Sequence, residues 1–166
     1  EVPEGHYNLG NALLEMENYE ESIKYFQKAV EIKPNYIKAH KNLANVYIKL
    51  NDFQNALISY KKIIEIDSNN LDALYNLAIL CCDVCKIEDS QKYFERLLKL
   101  KPNNVLYKIN QFLLLMPIYK SSDEIDLYRN IFMEGIKKLQ KYKYITDSPG
   151  NEIELNFYYL AYHNKN

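Results

Sequence analysis

The sequence contains no tryptophan and four glycines in 166 residues. Such sparse glycine argues against the Gly-rich loops that let backbone N–H groups close around a phosphate. Long apolar runs are missing as well. Crossing a bilayer takes about 20 consecutive apolar residues, and the longest runs, such as residues 112–117, are far shorter. The opening Glu1-Val2-Pro3-Glu4 has neither the basic start nor the apolar stretch of a secretory signal. It also lacks an initiator methionine, so the chain is expected to be a piece of something longer. Neither sign of charge dominates: 21 Lys and Arg stand against 22 Asp and Glu, a net charge of −1. With a pI of about 6.4, nothing steers the chain toward nucleic acid or anionic lipid, and neither is expected as a partner. The three cysteines cluster at Cys81, Cys82 and Cys85. An odd, local set is a poor disulfide framework and fits a reducing cytosol, so a cytoplasmic location is expected.

What the chain does have is apolar residues, 48% of the total against 26% charged, enough for a real core. Tyr, Asn, Lys and Ile are abundant, which reflects the source genome's composition more than function. The decisive feature is repetition. Blocks of 34 residues starting at Pro3, Ile37 and Leu71 carry the same kinds of residue at the same places. Leu9, Leu43 and Leu77 align, as do the small Gly10, Ala44 and Ala78. Ser22, Ala56 and Ser90 form a second small set. Tyr19, Phe53 and Ile87 line up, then Phe26, Tyr60 and Phe94, then Ala29, Ile63 and Leu97. Each block closes near Pro34, Ser68 or Pro102.

Within a block the apolar residues fall at helical spacing, for example Ile23, Phe26, Ala29 and Val30. The pattern predicts helix pairs over residues 3–16 and 19–32, 37–50 and 53–66, and 71–83 and 87–100. Small residues such as Gly10 and Ser22 let paired helices approach closely while Phe26 fills the space beside them. Asn18, Asp52 and Lys86 sit between the paired helices. The first two are good N-caps and Lys86 is not. Pro34 and Pro102 stop the second helices of their blocks.

This 34-residue pattern resembles the tetratricopeptide repeat. The resemblance implies an all-α right-handed superhelix of three hairpins (residues 3–36, 37–70 and 71–104). First helices would line its concave face, which binds a protein or peptide segment. One hairpin cannot bury its own apolar face, so stacking is required. Residues 105–166 are expected to form a degenerate helical cap or connector, and the solenoid ends offer a route to homo-oligomers. In this stretch Phe112 replaces the small residue and Pro117 ends a helix early. Ser121-Ser122-Asp123-Glu124 forms a capping box, residues 146–151 break the chain, and residues 152–163 close it with an aromatic-rich helix.

The tail carries a second resemblance. Leu115-Met116-Pro117-Ile118-Tyr119-Lys120-Ser121-Ser122-Asp123-Glu124-Ile125, Tyr128-Arg129 and Asn156-Phe157-Tyr158-Tyr159-Leu160-Ala161-Tyr162-His163 look like the connector of bacterial SPINDLY-like O-GlcNAc-type glycosyltransferases. That likeness implies a substrate-recruiting region ahead of a catalytic half. It also places His163 near where a histidine can reach the donor-sugar site in that family. No catalytic half is visible here.

Asn8, Asn42, Asn76 and Asn110 recur every 34 residues at the sixth position of each block. An amide offers both a donor and an acceptor, so it can pair with the backbone of an extended ligand without reading its side chains. The O-GlcNAc transferase family has a comparable asparagine ladder. Against this stands the plain fact that Asn is common in the chain. Asn11 and Asn45 add a second row that Ile79 breaks in the third block. Tyr7, Lys38, Lys41 and Tyr75 are further groove positions, with Lys49, Asp72 and Asp83 beside them. A two-carboxylate clamp for C-terminal tails needs Lys, Asn, Asn, Lys and Arg. The matching positions hold Tyr7, Asn11, Asn42, Asp72 and Asn76. Shifting by one repeat gives Lys41, Asn45 and Asn76, followed by Leu106 and Asn110. The first frame lacks all three cations, and the second lacks the last two.

Cys82-Asp83-Val84-Cys85 lacks the second ligand pair a zinc site needs, and Cys81 fills a slot held by Leu13 and Tyr47, hence core packing. His6 and His40 share a packing position and are expected to be structural. No metal, cofactor or catalytic constellation is expected. The functions in play are a recruiting superhelix of a glycosyltransferase and a free-standing adaptor that assembles other proteins. The neutral charge and the missing basic face weigh against a helical-repeat RNA binder.

Overall fold

The computed structural model describes residues 2–112, 130, 133 and 134. Six helices form three hairpins, α1 (Pro3–Glu15) with α2 (Tyr19–Ile32), α3 (Ile37–Lys49) with α4 (Phe53–Ile66), and α5 (Leu71–Asp83) with α6 (Ile87–Leu100). A seventh helix, α7 (Val105–Phe112), packs on α6 as α3 packs on α2 and α5 on α4. There is no strand among the described residues. The fold is all-α, a solenoid in which each hairpin packs against its neighbours. The expected connector and final helix lie outside the described residues.

Helix limits follow from local chemistry. Pro3 opens α1, where its missing N–H costs nothing and its fixed φ fits the first turn. Lys33 and Lys101, each preceding a proline, are extended (φ −131° and −135°) and end α2 and α6. Asp67 ends α4 with φ −131° although serine follows it. The bend is therefore a property of the repeat, and proline suits it without causing it.

Inside each hairpin the turn repeats closely. Glu17, Asn51 and Cys85 have φ of 58°, 58° and 59°. The next backbone N–H reaches back five residues, Asn18 to Leu13, Asp52 to Tyr47 and Lys86 to Cys81, at 2.7–2.9 Å. This closes the Schellman pattern. Asn51 suits the left-handed conformation, whereas Glu17 and Cys85 hold a side chain where L-residues rarely sit.

Capping departs from expectation at one place. Asp52 accepts from the Asn55 N–H at 3.2 Å, but Asn18 makes no such bond. Asn18 and Glu20 are exposed, so the start of α2 lies open to solvent, and Glu20 and Glu21 oppose its positive end. Two caps went unrecognised in the sequence: Asn70 accepts from Ala73 and Asn104 from Tyr107, both at 3.0 Å.

The core runs along the stack. Phe26, Tyr60 and Phe94 are 0%, 1% and 0% exposed and lie at equivalent positions. Each sits beside the small residue expected there. A Cβ built on Gly10 would stand 2.7 Å from the Phe26 ring, so only glycine fits without displacing it. Among the described residues, buried side-chain polar atoms all have partners. The Ser90 hydroxyl donates to the Ala78 carbonyl at 2.6 Å, tying α6 to α5. Buried His40 contacts the Pro34 carbonyl through Nε2 at 2.8 Å, and His6 stacks on Tyr25, so both histidines serve packing. Cys81 is core, as its repeat position implies.

Candidate peptide-binding face

Successive first helices are joined by polar side chains, one of them always at the fifth position of its repeat (Tyr7, Lys41 and Tyr75). The Asn42 amide on α3 donates to Asn11 Oδ1 at 2.6 Å and to the Tyr7 hydroxyl at 3.4 Å, both on α1. One period later Lys41 on α3 pairs with Asp72 on α5. One period further the Asn110 amide on α7 donates to the Tyr75 hydroxyl on α5 at 3.1 Å. The face is thus crossed by polar rungs that alternate Tyr–Asn, Lys–Asp, Tyr–Asn.

The aromatic members are held from behind. Tyr7 packs on Phe26 and Tyr36, with ring centroids 5.8 and 5.1 Å away. Tyr75 packs on Phe94 and Tyr107 at 6.2 and 5.7 Å. Rings fixed by core neighbours give hydroxyls with fixed positions, and the asparagines that bond them inherit that order.

The asparagine row is not uniform. Asn8 is exposed and has no bonding partner among the described residues. The Asn76 amide turns back to the Asp72 carbonyl at 2.8 Å and lies 3.3 Å from its Oδ1. Asn42, Asn76 and Asn110 therefore commit their NH₂ groups within the chain. Nothing among the described residues donates to their Oδ1 atoms. The second row is committed the opposite way. Asn11 Oδ1 accepts from Asn42, and Asn45 Oδ1 accepts from the Tyr60 hydroxyl at 2.8 Å, leaving both amide nitrogens available. Of the cations, Lys38 is exposed, Lys41 is paired, and Lys49 Nζ lies 5.8 Å from the Tyr19 ring centroid.

Two of the three clustered cysteines are set back by burial. Burial, with Asp83 nearby, pushes the Cys82 thiol up to about 11, and burial raises Cys81 too. Thiols held protonated are poor nucleophiles and poor ligands. Among the described residues no three His, Cys, Asp or Glu side chains converge as a metal site would require. A shallow cavity of about 300 Å³ at the α5–α6 turn, lined by residues 85–89, lies away from the rungs. No described helix is long and apolar enough to cross a membrane. Histidine His163 and the tail strings lie outside the described residues.

A stack of two-helix units with polar side chains along its first helices defines a helical-repeat interaction protein. Residues 3–36 and 37–70 match the model of the tetratricopeptide repeat family, and the third hairpin is built the same way. No curated protein matches. Among solved structures, MamA (41-end) from Desulfovibrio magneticus RS-1 is 19% identical over 84% of this chain and 74% of that one, with a TM-score of 0.63. A tetratricopeptide repeat protein from Parabacteroides merdae ATCC 43184 is 19% identical over 82% of this chain and 52% of that one, TM-score 0.64. The Arabidopsis OM64 TPR domain is 21% identical over 70% and 96%, TM-score 0.58. These likenesses establish the shared fold.

Proposed function

We propose that this chain is a protein-interaction module that holds an extended polypeptide along its first helices, in a concave groove, gripping backbone more than side chains. The observation behind this is the division of labour between the two amide rows. Asn42, Asn76 and Asn110 present carbonyl oxygens, while Asn11 and Asn45 present N–H groups. A peptide backbone alternates N–H donors with C=O acceptors, so a donor row beside an acceptor row suits it. Because the rungs already hold the amides, binding costs little side-chain ordering. Asn8, with no partner among the described residues, extends the row, Tyr7 and Tyr75 position it, Lys38 adds positive charge, and Lys41 is balanced by Asp72.

Two roles share this chemistry. A free-standing cytoplasmic adaptor needs only the repeats, with residues 105–166 closing the stack. A substrate-recruiting region of a SPINDLY-like glycosyltransferase rests on the tail strings alone. Sequencing the gene past Asn166 separates them: several hundred codons of alternating strands and helices favour the transferase, and a stop codon removes it.

The groove is tested by titrating two unrelated extended peptides, each bound by the wild type, against the Asn8→Ala, Asn42→Ala, Asn76→Ala triple variant. Each amide–peptide bond is worth ~0.5–1.5 kcal/mol net. Affinity should fall at least roughly tenfold for both peptides. The loss should be similar at low and high salt, since the contacts carry no formal charge. Unchanged affinity for both would remove the ladder from the account.

A further inference from the structure

The large ring that each hairpin buries is Phe26, Tyr60 or Phe94, so the middle one alone carries a hydroxyl. Tyr60 is 1% exposed. A buried hydroxyl needs an acceptor for its proton, because a donor left unmade in a core costs more than the bond gains. Among the described residues its one hydrogen-bond partner is Asn45 on α3, whose Oδ1 accepts at 2.8 Å. Burial pushes the hydroxyl up to about 12, so it stays a donor through the neutral range.

That need settles which way round the Asn45 amide sits. Turned over, the amide would aim its NH₂ at the hydroxyl, and the Tyr60 proton would have no acceptor among the described residues. Oδ1 therefore faces the core side, and Nδ2 is left without a partner among the described residues. We propose that Tyr60 is a positioning residue for the groove, holding the Asn45 amide so that the middle repeat offers an extended ligand a fixed N–H for one backbone carbonyl. This rests on the peptide-binding reading above.

The flanking repeats show why the middle one needs the device. In the third, Phe94 has no hydroxyl and Ile79 stands where an amide would be held. In the first, Phe26 has no hydroxyl either, but Asn11 is oriented from the next hairpin, its Oδ1 accepting from the Asn42 amide at 2.6 Å. The equivalent donor for Asn45 is Asn76, and that amide turns back to the Asp72 carbonyl at 2.8 Å. The bond that orients Asn11 is therefore missing at Asn45, and Tyr60 supplies it from the core. The two amides differ in how firmly they are set. Asn11 is held by a half-buried side chain of another hairpin, and Asn45 by a ring locked among Ala44, Ala56 and Ile63 in its own core cluster.

The positioning is read first without ligand. Nitrogen-relaxation NMR of the side-chain amides in the whole chain should show the Asn45 NH₂ ordered. It should become mobile in Tyr60→Phe, while the Asn11 NH₂ does not change. Phenylalanine occupies this position in both other hairpins, so the variant keeps the fold, which circular dichroism checks. Binding is read next, with two peptides of unrelated sequence selected on the wild type from a random library. Asn45→Ala should weaken both about two- to tenfold. Asn45→Asp, which keeps the acceptor for Tyr60 and removes the donor, should weaken both as well. Tyr60→Phe should weaken both by a smaller factor. The Tyr60→Phe, Asn45→Ala double variant should bind no worse than Asn45→Ala, because the hydroxyl acts through the amide. An Asn45 amide equally ordered with and without the hydroxyl overturns the positioning, and so do losses that multiply in the double variant. Failure of the peptide-binding reading looks different: the amide loses order in Tyr60→Phe, yet Asn45→Ala and Asn45→Asp bind both peptides as the wild type does, which overturns the donor role alone.

Discussion

The first hairpin and the two behind it have the same plan and different circumstances. Leu9, Leu43 and Leu77 occupy one repeat position, yet Leu9 is 45% exposed while the others are 4% and 0%. Gly10, Ala44 and Ala78 likewise share a position, but at Gly10 the Phe26 ring has moved into the space a Cβ would fill. Tyr60 and Phe26 are equivalent as well, and only Tyr60 reaches across its hairpin to hold Asn45. For the shared leucine, energetic worth is set by what the neighbouring hairpin lays against it, not by its place in its own.

The sharpest way to break this comparison is truncation of the shared leucine. Leu77→Ala opens a cavity in a filled core and should cost ~2–5 kcal/mol. Leu9→Ala, on an open face, should stay within ~0.5 kcal/mol in dilute solution. Chemical denaturation of the two variants side by side checks this, and equal losses would mean that α1 is covered.

Next in size is a pH effect at Tyr60, whose equivalent in the first hairpin, Phe26, has no hydroxyl. Burial, helped by the Asp72 charge, pushes the Tyr60 hydroxyl up to about 12, while in the unfolded chain it ionises near 10. The folded state therefore keeps a proton that the unfolded state releases. The stabilising difference is complete below about pH 10 and is lost as pH rises toward 12, by roughly 2–3 kcal/mol. Cys82 adds a loss over a lower range, from 9.0 to about 11. Thermal melts from pH 9 upward should fall more steeply for the parent than for Tyr60→Phe. Parallel curves would show that the hydroxyl ionises freely.

Smallest is overpacking. Gly10→Leu must displace Phe26 and should cost ~1–3 kcal/mol. Melting temperature is the measure, and an unchanged value would mean that the ring moves aside freely.

Much of this could be read from spacing. The 34-residue period predicted every described helix through Leu100 to within one residue, the core role of Cys81 and the packing roles of both histidines. Apolar periodicity and proline placement depend on the chain's own neighbours, which a sequence displays directly. What escaped depends on side chains meeting between helices. Nothing in the spacing said that Leu9 would lie open, that Lys41 would pair with Asp72, or that Tyr60 would engage Asn45. Asn18 and Asn70 look alike as caps, and only Asn70 makes the bond. The asparagine row was visible as a period, but the commitment of its amides within the chain was not.

The alternation of rungs has a mechanical consequence. Packing between hairpins runs through adjacent helices, so the solenoid bends one joint at a time. On the first-helix side those joints are bridged by a few short polar bonds at Asn42, Lys41 and Asn110. Such bonds exchange readily with water, whereas the apolar contacts behind them do not. The stack is therefore a hinge chain with a stiff spine and soft inner stitching. Its apolar contacts carry the stability of each joint, and the polar bonds on the first-helix side add little to it.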